Sequence, residues 1–411
     1  MANENLNTAT TLSYDIREFL AKDLLRLAQR NLRFENFADK LEFEKGSGKV
    51  WRAVRYERLA LPTTPLTEGT TPDGSSMSIS QVTGVAEQWG QYVTLTDVAE
   101  LTLYHPVLRV SQERLAMAYS ETRDREIQRV LQAVANVFYP GSITARSGIG
   151  ASDILSTNTI KKAVAFLRNK GAEPIDGEYY GGVVDPSVEM DIVGDSTFLP
   201  AAQYSNIKAL FAGEIGMWMG VRWVRSNFVQ KYIGIAAITA TGATSGGNLA
   251  DGTYYVSVVG RNILTGFEET ISQDKSVTIS GGNGAGKITA TMPSDTNYIY
   301  DVYVGTSSAA KRLVSSANAA GSNVVITSLN ASGDLAPVAP ASGVTVHNTF
   351  IIGKGAYGIT DLSAVERYIT PAQATDSDPL AQRRKTGWKA FFKTIILNQD
   401  FIAKIESASA Y

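Results

Sequence analysis

The chain of 411 residues has no cysteine and only two histidines, His105 and His347. The first absence excludes disulfides, thiolate metal sites and cysteine nucleophiles. The second leaves little for histidine chemistry: the two positions lie far apart, each at the boundary of an expected element, which argues against a catalytic or metal-binding pair. Charge is also scarce, with 19% Asp, Glu, Lys and Arg and a formal net charge of -2. Such a chain lacks the clustered cations that a dedicated nucleic-acid binder needs for phosphate contacts. Nothing approaches the roughly 20 consecutive apolar residues of a membrane span. The opening MANENLNTATTLSYDIREFL has neither the basic start nor the apolar run of a signal peptide. A soluble chain made in the cytosol, with no membrane partner, is expected.

What is present is a globular composition, 44% hydrophobic, in a chain long enough for about two or three domains. Residues 1 to about 12 read as a polar arm, and Ser13 as the cap of a helix carrying Ile16, Phe19, Leu20, Leu24, Leu27 and Ala28. Phe34, Phe37, Leu41 and Phe43 carry apolar surface to a turn at Gly46–Gly48. A strand over Val50–Leu61, a polar loop and a strand over Glu87–Thr96 suggest one extended hairpin. Such hairpins reach for a neighbour. Pro106 opens the longest expected helix, to about Val137, with the charged turn Glu121–Glu126 interrupting its apolar stripe. About 30 residues would make a strut of about 45 Å. A shorter helix over Asn158–Asn169, a buried strand over Gly182–Asp185 and a helix entered through Pro186 follow.

The composition then shifts. Between Gly242 and Thr345 only 12 of 104 residues are charged, while 14 of the chain's 36 glycines fall there. Seven short β-rich runs, starting near Thr253, Phe267, Ser276, Lys287, Asn297, Lys311 and Asn323, predict an immunoglobulin-like sandwich. The mixed pattern resumes at His347, so the segment reads as an insertion that folds alone and projects outward.

Motifs for chemistry are weak. Gly281–Lys287 (GGNGAGK) matches the spacing of a phosphate loop, but Ile288 stands where Ser or Thr must bind magnesium, and a strand follows instead of a helix. A glycine-rich β-turn is the better reading. Glu268 and Glu269 adjoin on one strand and face opposite sides, the wrong arrangement for paired carboxylates. The Arg383-Arg384-Lys385 run reads as a solvated or subunit-pairing patch rather than a nucleic-acid contact. The glycines of Gly213–Phe228 (GEIGMWMGVRWVRSNF) read as close backbone packing beside Trp218, Met219 and Trp223. No catalytic, cofactor-binding or metal residues are assigned, and no enzyme is expected.

Two blocks carry a resemblance. The apolar terminus from Asp376 to Ala408 (DSDPLAQRRKTGWKAFFKTIILNQDFIAKIESA) must be tied into a core. It resembles the closing strand of the N-four-like coat family of tailed-bacteriophage major capsid proteins. Gly213–Phe228 resembles that family's glycine-spaced motif. The resemblance implies an α+β, Hong Kong 97-type capsid fold with an inserted all-β sandwich. It implies an N-terminal arm (1-45), an extended hairpin loop (46-96), a spine helix with part of the peripheral domain (97-150), axial and peripheral parts (151-241 and 346-411) and the insert (242-345). The implied function is a coat protein that self-assembles into hexamers and pentamers of an icosahedral head around double-stranded DNA, made in the host cytoplasm and resident in the virion. Implied partners are copies of itself, a portal protein, a separate scaffolding protein in place of a long propiece, a cementing or decoration protein, and packaged DNA in non-specific proximity. The rival reading is a phage fibre or adhesin that binds through the sandwich. Some relatives lock their shells through a lysine on the extended loop. Here no lysine lies between Lys49 and Lys161, so a non-covalent shell is expected.

Overall fold

A computed structural model describes residues 33–42, 48–57, 59–66, 68–69, 74–97, 107–194, 214–370, 374 and 379–411. The helix expected from Ser13, Phe43, most of the turn at Gly46–Gly48, Pro106, His105 and Gly213 lie outside them. The chain divides into two compact units, residues 1–131 with 355–398, and residues 132–354 with 399–411.

In chain order the elements begin with β1 (Asp39–Leu41), β2 (Val50–Tyr56), β3 (Ile79–Val85), β4 (Glu87–Thr96) and helix α1 (Val107–Gln132). Then come β5 (Val137–Phe138), α2 (Thr157–Asn169), β6 (Tyr180–Val184), α3 (Pro186–Gly194), β7 (Glu214–Trp218), β8 (Val221–Arg225), β9 (Lys231–Ile235) and β10 (Thr239–Ala243). The low-charge segment supplies β11 (Gly252–Asn262), β12 (Glu268–Ser272), β13 (Lys275–Ile279), β14 (Lys287–Thr291), β15 (Tyr298–Gly305), β16 (Arg312–Asn318) and β17 (Asn323–Ile326). The chain closes with β18 (Thr345–Ile352), β19 (Tyr357–Thr370), β20 (Arg383–Ile396) and β21 (Ile402–Ser407).

The first unit is a sheet in the order β1-β19-β20-β4 with α1 on one face. Leu115, Ala116 and Tyr119 of the helix pack on Trp388, Ala390 and Phe392, which alternate along β20. Tyr119 meets Trp388 edge-on, 5.1 Å between ring centroids. At 26 residues the helix is about 39 Å long. It stops short of the expected Val137 because Val137 and Phe138 instead pair with Lys404 and Ile405 of β21. The hairpin differs too. β2 pairs with β3, which lies in the stretch read as loop, while β4 pairs along its whole length with β20. Ile79, Val82 and Val85 stand three residues apart among Ser80, Gln81, Thr83 and Gly84, so this stretch lacks the period-two alternation that marks a strand.

The charged turn of α1 is not a solvated gap. Arg123, 4% exposed, donates two hydrogen bonds to the Asp361 carboxylate at 2.8 and 2.9 Å and one to Glu35 at 2.9 Å. Its neighbour Asp124 accepts from the backbone N–H of Phe34 at 3.2 Å and from Gln128 at 3.2 Å. Tyr357 donates to the carbonyl of Phe34, whose ring is fully buried. The short 3-10 turn Phe34–Phe37 is thus clamped to α1 and β19 by side chains from both. A bidentate guanidinium–carboxylate pair fixes orientation as well as charge.

In the second unit one long sheet runs β16-β15-β11-β12-β9-β18-β6-β8-β7, with β13 on β11 and β21 on β18. β18 is buried from Val346 to Ile352, as a strand covered on both faces must be. Helix α2, capped by Ser156 accepting from the N–H of Thr159, lays Ile160, Ala163, Val164 and Leu167 on this sheet. Gly182 makes room for Trp223, whose ring would lie 2.6 Å from an added Cβ. So the close backbone approach falls on Gly182. Gly220 (φ 76°) instead closes the two-residue turn between β7 and β8 after Met219 (φ 56°).

All seven β-rich runs are strands, joined by β10. A smaller sheet, β10-β14-β17, shares a core with the large one: Ile288, Ala290 and Ile326 with Val256, Val258, Val302 and Val304. The low-charge segment is not set apart from the strands that flank it, because β12 pairs in parallel with β9, Ile271 opposite Gly234. Tyr232 and Val346 pack with Val259, Ile271 and Tyr303 in one cluster. After α3 no further α-helix occurs among the described residues, so the pattern resuming at His347 is there built of strands and one short 3-10 turn, Gln399–Phe401.

Two expectations follow. Ile271→Ala should lower the stability of the second unit by about 2–5 kcal/mol, in one cooperative denaturant transition. A separate, early transition confined to the strand-rich segment would contradict the continuous sheet. The second concerns Asp124, whose carboxyl burial pushes up to about 7. The folded state then binds this proton more tightly than the unfolded chain, so stability falls as pH rises from about 4 to about 7 and levels off above. Asp124→Asn should flatten that part of a urea-midpoint-against-pH curve. An unchanged slope would show that Asp124 does not titrate there.

Candidate assembly surfaces

Two surfaces of the first unit are built from side chains that a lone subunit leaves without cover. The first is the β2–β3 ribbon, a two-stranded sheet joined by no third strand among the described residues. Its register places Val50 opposite Val85 and Tyr56 opposite Ile79. Since directly paired residues share a face, Val50, Val54, Tyr56, Ile79 and Val85 lie together, and all are exposed, from 41% to 63%. The opposite face, with Trp51, Ala53, Val82 and Gly84, is partly or fully buried. At its base Gly84 abuts Ile395 of β20 so closely that a Cβ would lie 2.2 Å from the Ile395 side chain. Beyond β2, Leu61 and Leu66 stand 85% and 79% exposed. A two-stranded ribbon is marginal alone, and an apolar face of this kind marks a contact surface. Along its edge Ser80 and Arg55 bind Glu57 and hold its carboxyl below the usual range.

The second surface is the face of β4, β20 and β19 that carries Lys385, Gly387 and Lys389. Gly387 pairs with Tyr92 on one side and Tyr368 on the other. The three strands thus set two tyrosines about a glycine floor. The resulting open slot, about 400 Å³, is lined also by Gly90, Lys385 and Lys389. An added Cβ on Gly387 would meet the Gln91 carbonyl oxygen and the Tyr92 Cβ, both at 2.8 Å. Tyr368 bonds to Glu366, and the Lys389 ammonium sits 5.1 Å from the Tyr368 ring centroid. The Tyr368 hydroxyl first, and Glu366 with it, raises the pKa of Lys389. Lys385 of the basic run lines this slot, which the run of charges alone did not reveal.

The remaining motifs build no site. Gly281 and Gly282 donate their N–H groups to the Asp251 carboxylate at 3.1 and 2.9 Å, so an internal acid fills the place of a phosphate. Gly281, Asn283 and Gly284 all have positive φ, the mark of a tight turn. His347 lies inside β18, buried, with Nδ1 3.0 Å from Asp185. Glu269 accepts from Asn262 and Tyr298. Among the described residues no cluster of His, Asp and Glu could hold a metal, and no helix is long and apolar enough to cross a membrane.

Residues 80–236 match the model of a family described as phage capsid protein. No curated protein sequence matches the chain. Among solved structures, the capsid of Ralstonia phage GP4 is similar at a TM-score of 0.51 and 10% identity, covering 93% of this chain and 92% of that one. The capsid subunit of cyanophage Pam1 gives 0.50 and 10%, with the same coverage. The matched span takes in β3, β4, α1 and the strands through β9, which frame both units. Part of the chain thus matches a phage capsid family, and its fold is shared with these capsid structures.

Proposed function

We propose that the chain is the repeating subunit of an icosahedral head, forming hexamers and pentamers through the β2–β3 ribbon laid over a neighbouring copy. The observation that carries this reading is the exposed apolar face of that ribbon. Five large apolar side chains standing in water on a marginal ribbon are stabilised once a second subunit covers them. Extended arms also bury more area per subunit than compact bodies do, toward the size of obligate interfaces. On this reading the fold is Hong Kong 97-type, with residues 46–96 as its extended loop, α1 as its spine and residues 242–345 as an immunoglobulin-like insert. Residues 151–241 and 346–411 contribute axial and peripheral parts, and residues 1–45 the arm. The role is structural rather than enzymatic. A portal protein, a separate scaffolding protein and a cementing protein are further partners of such a shell, and packaged double-stranded DNA its content. A near-neutral coat suits that content, since a strongly basic wall would hold the DNA fast.

Electron microscopy of the purified, assembled protein is the direct test, with closed shells expected and trimeric spikes contradicting the reading. The ribbon is tested by the combined change Val54→Ser, Tyr56→Ser and Ile79→Ser. The variant should keep its circular dichroism spectrum and lose assembly, read by sedimentation. Normal shells from it would reduce the ribbon to decoration. The lysine-free stretch from residue 50 to 160 removes the amine nucleophile from the ribbon. Particles boiled in detergent should therefore release one band near 44.2 kDa on a denaturing gel. A ladder that survives boiling would show covalent locking.

A further inference from the structure

The arm reading leaves open what the far end of the ribbon grips, and two features of the first unit answer one another. Past β2 the chain runs Leu61-Pro62-Thr63-Thr64-Pro65-Leu66 with no regular secondary structure. Both prolines fix φ near −65°, and the residues before them, Leu61 and Thr64, are steered away from helix. A segment with prolines three apart is set for polyproline II, which repeats every three residues and places both rings on one edge. Its end leucines are 85% and 79% exposed, so this chain's own slot does not hold them. Segments of this kind dock into aromatic-lined grooves, where their low conformational freedom limits the entropy lost on binding.

The slot over Gly387 is such a groove. Tyr92 (68% exposed) and Tyr368 (45% exposed) form its walls, and glycines at 387 and 90 keep its floor low. Lys385 and Lys389 lie on the same face, two residues to either side of Gly387. Exposed Glu68, two residues past Leu66, supplies the complementary charge. We propose that the slot between Tyr92 and Tyr368 receives the Leu61–Leu66 segment of a second copy of this chain, with Glu68 of that copy reaching the lysines. The assignment rests on the arm reading and adds its specific acceptor. Seven paired residues give the ribbon a reach of roughly 23 Å, enough to carry the segment away from its own base at Gly84.

The absence of native cysteine makes the test clean. Chains carrying Leu66→Cys are mixed with chains carrying Tyr92→Cys, assembled and oxidised. A disulfide-linked pair at about twice the subunit mass is expected, and none when Leu264→Cys, on an exposed turn of the other unit, replaces Tyr92→Cys. Shells that form without the Leu66–Tyr92 link overturn the slot assignment. The arm reading then still stands if the ribbon-face variant fails to assemble, and falls with it if that variant builds shells. An intrachain link in the unassembled double variant would place the tip in its own slot and also overturn the proposal. Should the cysteine chains fail to assemble, a synthetic peptide of residues 59–69 titrated onto the unassembled full chain decides. Binding should weaken at least about tenfold with Tyr92→Ser and Tyr368→Ser together. No binding to the unmodified chain, or equal binding to the double variant, rejects the slot.

Discussion

The first unit depends on one strand's period of two. β20 is paired to β19 over most of its length and to β4 from Arg383 to Phe392, and its side chains alternate between faces. Thr386, Trp388, Ala390, Phe392 and Thr394 are buried on one face. Lys385, Gly387 and Lys389 take the other. A slip of one residue would bring the lysines into the core and the aromatic rings into water. Helix packing and the slot are therefore two consequences of a single register, and neither can change without the other.

Around this strand the buried polar groups act as fasteners. Arg123 is expensive to bury, and it is tolerated because Asp361 and Glu35 both accept from it and the Phe392 ring lies 5.4 Å beneath it. Removing both acids would strand a buried cation. That is a stronger constraint on geometry than on net stability. Asp124 works differently, as an acid whose burial favours the neutral form, so the hold on Phe34 is tuned by proton concentration. The second unit shows the same device around Glu406, which accepts from Arg146 at 2.6 and 2.9 Å and meets Lys404 at 2.9 Å. The two cations keep its carboxyl below the usual range despite burial, Arg146 contributing most.

Bare apolar surface of this kind is what the proposed packing against neighbours would cover. Val50, Val54, Tyr56, Ile79, Leu61 and Leu66 would be a solubility liability in a monomer. The proposed arm contact would cover them.

Composition and pattern alone settled a good deal. Lack of cysteine excluded disulfides and thiolate chemistry, and the charge drop with glycine turns marked residues 242–345 as a run of strands, all seven of which form. The aromatic density after residue 387 announced that the C-terminus is core, because that many rings cannot remain in water at a frayed end. Pairing was beyond the sequence. Periodicity says that a segment is a strand but not which edge it meets, so β3 passed for loop and β4 was given β2 as partner in place of β20. The C-terminal block likewise read as one closing strand, whereas β20 and β21 serve different units. Arg123 and Asp124 read only as part of a charged turn, because such a turn on a helix is indistinguishable from a buried one until its partners, the Asp361 carboxylate that accepts from Arg123 and the Phe34 amide that donates to Asp124, are brought from 238 and 90 positions away. The sequence determined which residues must leave water, and the tertiary structure decided what they meet there, since contacts between distant segments depend on register and backbone pairing that no local pattern encodes.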